Sequence, residues 1–312
     1  MFVTDIIQET KTIKRFRLCP VNGEPLPVFS GGSHITTYLR NGDRIIERHY
    51  SLVSDPTERH YYEIAIRRDD ASRGGSVFWH DQVKAGDRVE ITFPKNHFPV
   101  SFQARHHVFY AAGIGITPFM TMMADLAKEG KSFELHYAAR SKELCAFHDV
   151  LQEKYGDHCT FYFSSDENAR RMAPETMQDH PIGTHVYFCG PNSMVKQFSE
   201  AAASYGYPAK NIHFELFSPP DTGKQVPFRV TLSKSQEIEV SANETLLEAL
   251  LNAGIKAPYS CRAGGCGQCE VEVLEGEVDH RDMFFSDEER AGRKFILTCV
   301  SRAKSDCLVL HI

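Results

Sequence analysis

The chain has 312 residues, of which 42% are hydrophobic and 24% charged, and its net charge is −6. This length suits two or three domains, and the composition is typical of folded globular proteins rather than disordered ones. The acidic balance argues against nucleic acid as a partner. No apolar run approaches the roughly 18 residues of a membrane helix, and the N-terminus lacks a signal-peptide pattern. We therefore expect a cytoplasmic protein that has no membrane partner.

The first segment, residues 1–102, alternates short apolar strands with loops that carry proline and glycine. Strands are predicted over Thr12–Leu18, Tyr61–Arg67 and Arg88–Phe93. Short strands with turn residues between them predict an antiparallel β-barrel domain.

Two motifs in this barrel segment suit a cofactor that carries a phosphate. Arg73-Gly-Gly-Ser76 opens a short helix over Val77–Val83, and free N–H groups at a helix start bind phosphates. Arg48-His-Tyr-Ser-Leu52 ends a strand, where Arg48 supplies countercharge and Tyr50 a ring face. Each motif alone is more often ordinary packing, so the residues themselves indicate only a candidate site.

The second segment, residues 103–218, alternates strands with helices. Strands are predicted over His107–Ala112, Phe133–Ala138, Thr160–Ser164 and His185–Cys189, and helices over Pro118–Lys128 and Asn192–Tyr205. This alternation predicts a parallel sheet of the dinucleotide-binding type. The glycines of Gly113–Pro118 would let the backbone approach a pyrophosphate, with Thr117 capping the helix. Cys189–Pro191 would lie at the same sheet edge.

A linker over residues 219–227, rich in proline, glycine and polar residues, leads into a small domain at residues 228–312. This domain is predicted to have strands Phe228–Leu232 and Glu237–Val240 and a helix Thr245–Ala253. From residue 225 onward there are 10 basic and 14 acidic residues, and nine of the acidic ones lie between Glu270 and Glu289. The ordinary interpretation is a solvated face, and the alternative is a docking surface for a basic redox partner.

The cysteines carry the strongest signal. Four of them follow the plant-type 2Fe–2S spacing, C-x4-C-x2-C with one distant ligand: Cys261, Cys266, Cys269 and Cys299. Gly264, Gly265 and Gly267 would let the loop adopt positive φ and aim its N–H groups at the sulfurs. A zinc site would show CxxC or Cys/His pairs, and a disulfide framework does not suit the cytoplasm. The sequence therefore predicts a 2Fe–2S cluster.

Together, and in this order, these motifs resemble the phthalate dioxygenase reductase family, to which vanillate O-demethylase reductases also belong. The motifs are Arg48–Leu52, Arg73–Ser76, Gly113–Pro118, Cys189–Pro191, Glu215–Phe217 and the cluster cysteines, with Asp279–Met283 and Cys299–Lys304 as further signatures. The resemblance spans nearly the whole chain. It implies a ferredoxin–NADP⁺ reductase fold with an appended 2Fe–2S domain: an antiparallel β-barrel, an α/β parallel-sheet domain and an α+β (β-grasp) domain.

The resemblance also implies the role of each site residue. Arg48, Tyr50 and Ser51 would contact the flavin, Ala65, Ile66 and Arg67 would border its ring, and Arg73, Gly74, Gly75 and Ser76 would hold the FMN phosphate. Gly113, Gly115, Thr117, Pro118, Gly190 and Pro191 would bind the nicotinamide dinucleotide, with Cys189 near its hydride-donating carbon and Phe217 shielding the flavin. The residues alone leave FAD open.

The preference for NADH rests on the family and on an uneven set of charges. Asp166 would repel the 2′-phosphate of NADPH, whereas Arg140, Arg170 and Arg171 would attract it. The family uses NADH, and we expect the same here.

The implied function is that of the reductase component of a two-component Rieske-type oxygenase or demethylase. NADH releases two electrons as a hydride, a 2Fe–2S cluster accepts one, and FMN can mediate between them. One alternative is a reductase for another acceptor, such as a cytochrome P450. Another is a non-catalytic redox sensor with a vestigial flavin site. The intact Gly113–Pro118 and Cys189–Pro191 segments argue against the sensor.

Overall fold

The computed structural model describes every residue of the chain except 43, 72–73, 167–168, 221–224, 234–235 and 293. The chain forms two compact units, Met1–Phe214 and Glu215–Ile312. The β-barrel and the parallel sheet both belong to the first unit, so the three-domain boundaries stay a prediction from the sequence. None of the helices in the described ranges has the length and apolar character needed to cross a membrane.

The first unit begins with antiparallel β-structure. Its elements are β1 (Phe2–Thr10), β2 (Ile13–Cys19), β3 (His34–Asn41), β4 (Arg44–Ser51), β5 (Tyr62–Arg67), α1 (Gly75–Asp81) and β6 (Glu90–Ile91). Two three-stranded sheets, ordered β1–β2–β5 and β4–β3–β6, are joined by isolated bridges such as Leu52 with Ile64. Phe16, Ile64 and Trp79 are fully buried between them, so the two sheets share one core.

The rest of the first unit is built on a five-stranded sheet. Its elements are β7 (His106–Ala112), α2 (Thr117–Lys128), β8 (Phe133–Ala139), α3 (His148–Tyr155), β9 (Cys159–Phe163), β10 (Thr184–Cys189), α4 (Asn192–Ser204) and β11 (Ile212–Glu215). The strand order is β11–β10–β7–β8–β9, and the strands from β10 to β9 pair in parallel.

Helices cover both faces of this sheet, which is why β7 is apolar almost throughout. Phe109 of β7 packs against Phe119 of α2, with ring centroids 4.9 Å apart. The next residue, Tyr110, points to the other face and packs against Phe198 of α4 at 5.2 Å. Alternate residues of one strand therefore serve two separate layers.

A turn of the barrel at Gly31–Gly32 packs against helix α2 within the first unit. The Gly31 N–H donates to Asp125 Oδ2 at 2.6 Å, and the Gly32 N–H donates to Thr121 Oγ1 at 3.0 Å. A Cβ at Gly31 would lie 2.6 Å from the Met122 Cα. The absence of a side chain therefore lets the barrel loop lie directly on α2.

The second unit is a mixed sheet with one helix packed on it. Its elements are β12 (Phe228–Leu232), β13 (Glu237–Val240), α5 (Leu246–Asn252), β14 (Glu270–Glu275), β15 (Val278–Asp279), α6 (Asp287–Gly292), β16 (Phe295–Leu297), β17 (Arg302–Ala303) and β18 (Cys307–His311). The main sheet is ordered β13–β12–β18–β14–β16, with β12 and β18 parallel at its centre. Thr245 and Glu248 form a reciprocal capping box that starts α5.

The predicted elements agree with the structure except at two places in the barrel. Only Glu90–Ile91 of the predicted strand Arg88–Phe93 is a strand, because its ladder with β3 contains two residue pairs. Phe93, which follows, is 77% exposed. The helix predicted over Val77–Val83 begins earlier, at Gly75, because Gly74 turns the chain with φ +87°.

Candidate cofactor-binding and iron–sulfur sites

The four predicted cluster cysteines lie together in the second unit. Cys269 Sγ lies 3.2 Å from Cys299 Sγ, and the Cys261 and Cys266 thiols hydrogen-bond to each other. Two sulfurs on one tetrahedral metal with bonds of about 2.3 Å lie roughly 3.7 Å apart, so the measured separation suits shared ligation. All nine cysteines are free thiols.

Backbone N–H groups point at these sulfurs. The hydrogen bond from the Cys266 thiol is the largest influence on the pKa of Cys261. Burial opposes it, but the N–H groups of Ala263 and Gly265 add to it and bring the pKa to about 5. The Ala263 nitrogen lies 3.4 Å from the Cys261 sulfur. Because the thiolate is the form that binds metal, this shell of donors favours ligation by Cys261.

Residues with a positive φ shape the cysteine loop, but one of the three predicted glycines does not have a positive φ. Gly264 and Gly267 have φ of +76° and +74°, as expected. A Cβ at Gly264 would lie 2.7 Å from Val300 Cγ2, so glycine is also required there for space. The same expectation is wrong for Gly265. The third positive φ in the loop belongs to Arg262, at 54°, whose guanidinium stacks 4.4 Å from the Tyr259 ring.

Asp282 supports the cysteine loop, a role that the sequence did not reveal. Its buried carboxylate accepts the N–H groups of Phe284 and Phe285, at 3.2 and 3.0 Å, and the Ser301 hydroxyl at 3.2 Å. The neighbouring Met283 N–H donates to the Gly264 carbonyl at 3.1 Å. The sequence marks Asp279–Met283 only as a family signature, because nothing in one sequence identifies an aspartate as buried.

The two nucleotide loops meet at the carboxyl edge of the parallel sheet. Residues Gly113–Ile116 form a 3₁₀ turn directly after β7. A Cβ at Gly115 would collide with the Cys189 carbonyl oxygen, and one at Gly190 would lie 3.0 Å from the Ala112 Cβ. The predicted glycine positions are therefore close together, with Gly115 buried and Gly113 and Gly190 half-buried.

Four residues around these loops have defined local positions. Thr117 is the first residue of α2 rather than its cap, and its hydroxyl donates to the Ile114 carbonyl at 3.0 Å. The expectation that Thr117 caps the helix is therefore wrong, because the preceding 3₁₀ turn already leads into α2. Pro118 lies in the first turn of the helix, as predicted. Cys189 is fully buried at the end of β10, and Pro191 precedes α4.

The predicted flavin phosphate site brings β4 and α1 together. A Cβ at Gly75 would lie 2.5 Å from Arg48 Nε and 2.7 Å from Arg48 Cγ. The Arg48 side chain therefore lies on the bare backbone at the start of α1, an arrangement that fits a bound phosphate. The Ser76 hydroxyl donates to the Asp69 carbonyl at 3.3 Å. Arg73, also predicted here, lies outside the described residues.

The residues predicted to border the flavin ring lie on β4 and β5. Burial raises the pKa of Tyr50, whose ring meets Trp79 edge-on at 6.1 Å. Ser51, Ala65 and Ile66 are buried, whereas Arg67 is exposed at the end of β5. Phe217, in the second unit, is 45% exposed, and its shielding role stays a prediction.

The residues predicted to choose between NADH and NADPH lie at or beyond the ends of β8 and β9. Arg140 and Asp166 are exposed, and the Arg170 guanidinium lies 5.7 Å from the centre of the Tyr162 ring. Arg171 is exposed in the same segment. The cofactor choice at this position stays a prediction.

Comparison with known proteins assigns the chain to a family. The model for the 2Fe-2S iron-sulfur cluster binding domain matches residues 230–304, and that for the N-terminal domain of dimethylamine monooxygenase subunit DmmA-like proteins matches residues 95–212. The chain is 41% identical to the carnitine monooxygenase reductase subunit of Escherichia coli K12, covering 99% of this chain and 97% of that one. It is 42% identical to the heme-dependent oxidative N-demethylase beta subunit of Ectopseudomonas mendocina, covering 92% and 90%.

A solved structure of phthalate dioxygenase reductase superposes with a TM-score of 0.78 at 35% identity, over 100% of this chain and 97% of that one. The chain belongs to the phthalate dioxygenase reductase family. It is an NADH-dependent oxidoreductase that uses FMN and a 2Fe–2S cluster, and it serves an oxygenase component as its reductase. The predicted fold class, with its barrel, parallel-sheet and iron–sulfur parts, is confirmed.

Proposed function

We propose that this chain takes a hydride from NADH at the carboxyl edge of its parallel sheet and delivers single electrons from its cysteine loop to a Rieske-type oxygenase. The observation that carries the proposal is the convergence of four thiols within a shell of backbone N–H donors. The hydrogen bond with the Cys266 thiol, joined by the N–H groups of Ala263 and Gly265, lowers the pKa of Cys261, and the Cys269 and Cys299 sulfurs lie 3.2 Å apart. A loop so arranged suits an anionic cluster that exchanges one electron.

In the first unit, we assign the flavin phosphate to Arg48 and the Gly74–Ser76 turn, together with Arg73. Tyr50 and Ser51 would contact the flavin, with Ala65, Ile66 and Arg67 beside its ring. FMN, when bound, converts a two-electron hydride into single electrons. The protein's part is to place the ring and neutralise the phosphate, and the contact of the Arg48 side chain with the Gly75 backbone supports the second role.

For the nicotinamide dinucleotide, we assign the pyrophosphate to the backbone of Gly113, Gly115 and Thr117 at the start of α2. Pro118, Gly190 and Pro191 complete the set. A Cβ at Gly115 would collide with the Cys189 carbonyl oxygen, so the absence of a side chain lets the two loops lie close together. This close approach supports the assigned role. Cys189 would lie near the hydride-donating carbon, with Phe217 covering the flavin until the nicotinamide arrives.

We assign the cluster to Cys261, Cys266, Cys269 and Cys299. Cys269 and Cys299 are buried, whereas Cys261 and Cys266 are only half-buried, so the second pair would face the exit for electrons. Phe284, which is 42% exposed, lies against Gly267 on the same loop. Acidic residues that follow the loop in the chain are exposed and would attract a basic partner: Glu272, Glu275, Glu277, Asp287 and Glu288.

A second candidate acceptor is a heme-containing oxygenase. It is favoured by the 42% identity to the heme-dependent oxidative N-demethylase beta subunit. To separate the two, the reductase would be mixed with purified oxygenases of each type, and product formation per NADH would be measured. A Rieske oxygenase should turn over at least about tenfold faster, a difference of about 1.4 kcal/mol in the barrier. Equal or faster turnover by the heme enzyme would contradict the proposal.

We also propose the domain boundaries 1–102, 103–218 and 228–312, with residues 219–227 as a linker, and a cytoplasmic location consistent with nine free thiols. Limited proteolysis of the full chain tests the linker. The first cut should fall within residues 219–227 and release an iron-containing fragment. An earlier cut elsewhere would remove the linker assignment.

A further inference from the structure

Four polar side chains meet at the amino edge of the parallel sheet, away from the cofactor loops. We call them the histidine–glutamate cluster: His106, Glu134, His136 and His180. His106 starts β7, Glu134 and His136 lie on β8, and His180 precedes β10. The nucleotide loops follow the other ends of these strands. Seven residues of β7 separate the two edges by roughly 20 Å.

The side chains converge on the Glu134 carboxylate. His180 Nε2 lies 3.2 Å from Oε1, His136 Nε2 lies 3.1 Å from the same oxygen, and His106 Nε2 lies 3.7 Å from Oε2. One ligand atom from each of His106, Glu134 and His180 falls within 4.8 Å of the others. Ligand atoms of a tetrahedral zinc site with bonds of about 2.05 Å are roughly 3.3 Å apart, so small side-chain shifts would complete the geometry.

Other groups already orient the rings. His106 Nδ1 hydrogen-bonds to the Ser132 hydroxyl at 2.8 Å, which leaves Nε2 to face Glu134. His136 Nδ1 hydrogen-bonds to the Tyr162 hydroxyl at 2.8 Å, and its ring stacks on Tyr110 at 4.7 Å. Metal-binding histidines in proteins are commonly held through their second nitrogen in this way.

The observation at His180 points most directly to a bound metal ion. Its Nε2 atom is buried and has no hydrogen-bond partner in the part of the chain that the structure describes, although Glu134 is 3.2 Å away. A buried ring nitrogen without such a partner is costly, and a metal ion would use its lone pair.

The charges of the cluster also suit a cation. Burial acts most strongly on the pKa of Glu134 and would raise it, but hydrogen bonds from His106 and His136 outweigh burial and lower the pKa well below its usual range. Burial is also the largest influence on His180 and lowers its pKa.

We propose that the histidine–glutamate cluster binds one divalent transition-metal ion of the Zn²⁺ type, with His106 Nε2, His180 Nε2 and a Glu134 oxygen as its ligands. Two imidazoles and a carboxylate are a ligand set that Zn²⁺ accepts, with a further position for water. The ion would be structural, because it ties β7, β8 and the segment before β10 together at the edge opposite the nucleotide loops.

The test is calorimetric titration of the holoprotein with ZnCl₂ at pH 7.5, without chelating buffers or added thiols. The wild type should bind one equivalent at this site. His180→Gln and Glu134→Gln should each weaken that binding at least about tenfold, the effect typical of disrupted metal sites. The matched control is His60→Gln, an exposed histidine of the barrel, which should bind like the wild type.

Thermal unfolding with and without Zn²⁺ gives a second readout that guards against misfolded variants. Zn²⁺ should raise the midpoint of the wild type and of His60→Gln, because a ligand that binds only the folded state stabilises it. It should leave the midpoint of His180→Gln unchanged. Absence of a stoichiometric site in the wild type, or equal binding by His180→Gln, would show that the cluster is only a hydrogen-bonded group.

Discussion

The cysteine loop and the flavin–nucleotide region are both cofactor sites, but they are assembled in opposite ways. Three of the four cluster thiols, together with the N–H donors to Cys261, come from one run, Cys261–Cys269, and Cys299 comes from a distant part of the chain. The flavin and nucleotide positions come from separate elements, such as Arg48 on β4 and Gly75 on α1. The residues of the first site come mostly from one local motif, whereas those of the second come together only when the barrel and the sheet fold.

Glycine serves the two regions for different reasons. At Gly264 and Gly267 a positive φ is needed, so the chain can wrap around the sulfurs. At Gly115 the need is for space, since a side chain would collide with the Cys189 carbonyl oxygen of another loop. Substitutions should therefore affect the cysteine loop through its own conformation, and the nucleotide site through the spacing of its neighbours.

The largest effect should come from Cys266→Ser, which removes a ligand from the local motif alone. We expect reduction of cytochrome c, which needs the cluster, to fall at least about a hundredfold, while NADH-to-ferricyanide activity through the flavin persists. The control is Cys307→Ser, a half-buried cysteine outside the motif. Loss of both activities would show that the two sites do not work separately.

Asp282→Ala tests how far the cysteine loop depends on a support outside its motif. Two backbone N–H groups and the Ser301 hydroxyl would lose their buried acceptor, so we expect the second unit to lose about 3 kcal/mol of unfolding free energy. Denaturant unfolding followed by cluster absorbance measures it. Asp287→Ala, at a fully exposed side chain on α6, should unfold like the wild type. Equal unfolding free energies for the two variants would show that Asp282 does not stabilise the cysteine loop.

Arg48→Gln tests the assembled flavin site. Loss of the guanidinium beside the start of α1 should weaken FMN binding about tenfold, because a charge-assisted contact to phosphate is removed. Fluorescence titration of the flavin-free protein with FMN gives the dissociation constant. Arg44→Gln, at an exposed position of the same strand, is the control. Unchanged affinity in Arg48→Gln would place the phosphate elsewhere.

Gly115→Ala tests spacing at the nucleotide edge. The added Cβ should push the Cys189–Gly190 loop away and raise the KM for NADH about tenfold, since misplaced binding groups cost about 1.4 kcal/mol. Steady-state kinetics with ferricyanide measures this. Gly292→Ala, where a Cβ would meet nothing within 4 Å, should not change KM. An unchanged KM for Gly115→Ala would show that the close approach of Gly115 to Cys189 is not needed for NADH binding.

The smallest effect concerns the exposed acidic residues that follow the cysteine loop in the chain. Raising the salt from about 0.05 to 0.2 M should slow electron transfer to the oxygenase roughly threefold, as screening shortens the reach of Glu272, Glu275 and Glu277. Stopped-flow reduction of the flavin by NADH is the control step. If the salt dependence of electron transfer to the oxygenase is no steeper than that of the control step, these acidic residues form an ordinary solvated surface.

Much of the fold could be predicted because its signals are local. The parallel sheet follows from apolar runs alternating with helices, and α5 follows from the Thr245–Glu248 capping box. The strand predicted over Arg88–Phe93 was too long because pairing with β3, not propensity, limits it to Glu90–Ile91. Thr117 was misjudged because the chain enters α2 from a 3₁₀ turn.

The amino-acid sequence by itself determined the cysteine constellation, since spacing and glycines restrict nine consecutive residues to a narrow set of conformations. Only the tertiary structure decided which distant residues meet. It placed Arg48 on Gly75, Gly115 against Cys189, and Asp282 beneath the cysteine loop. It also brought His106, Glu134 and His180 together, because parallel strands start at one sheet edge whatever their separation along the chain.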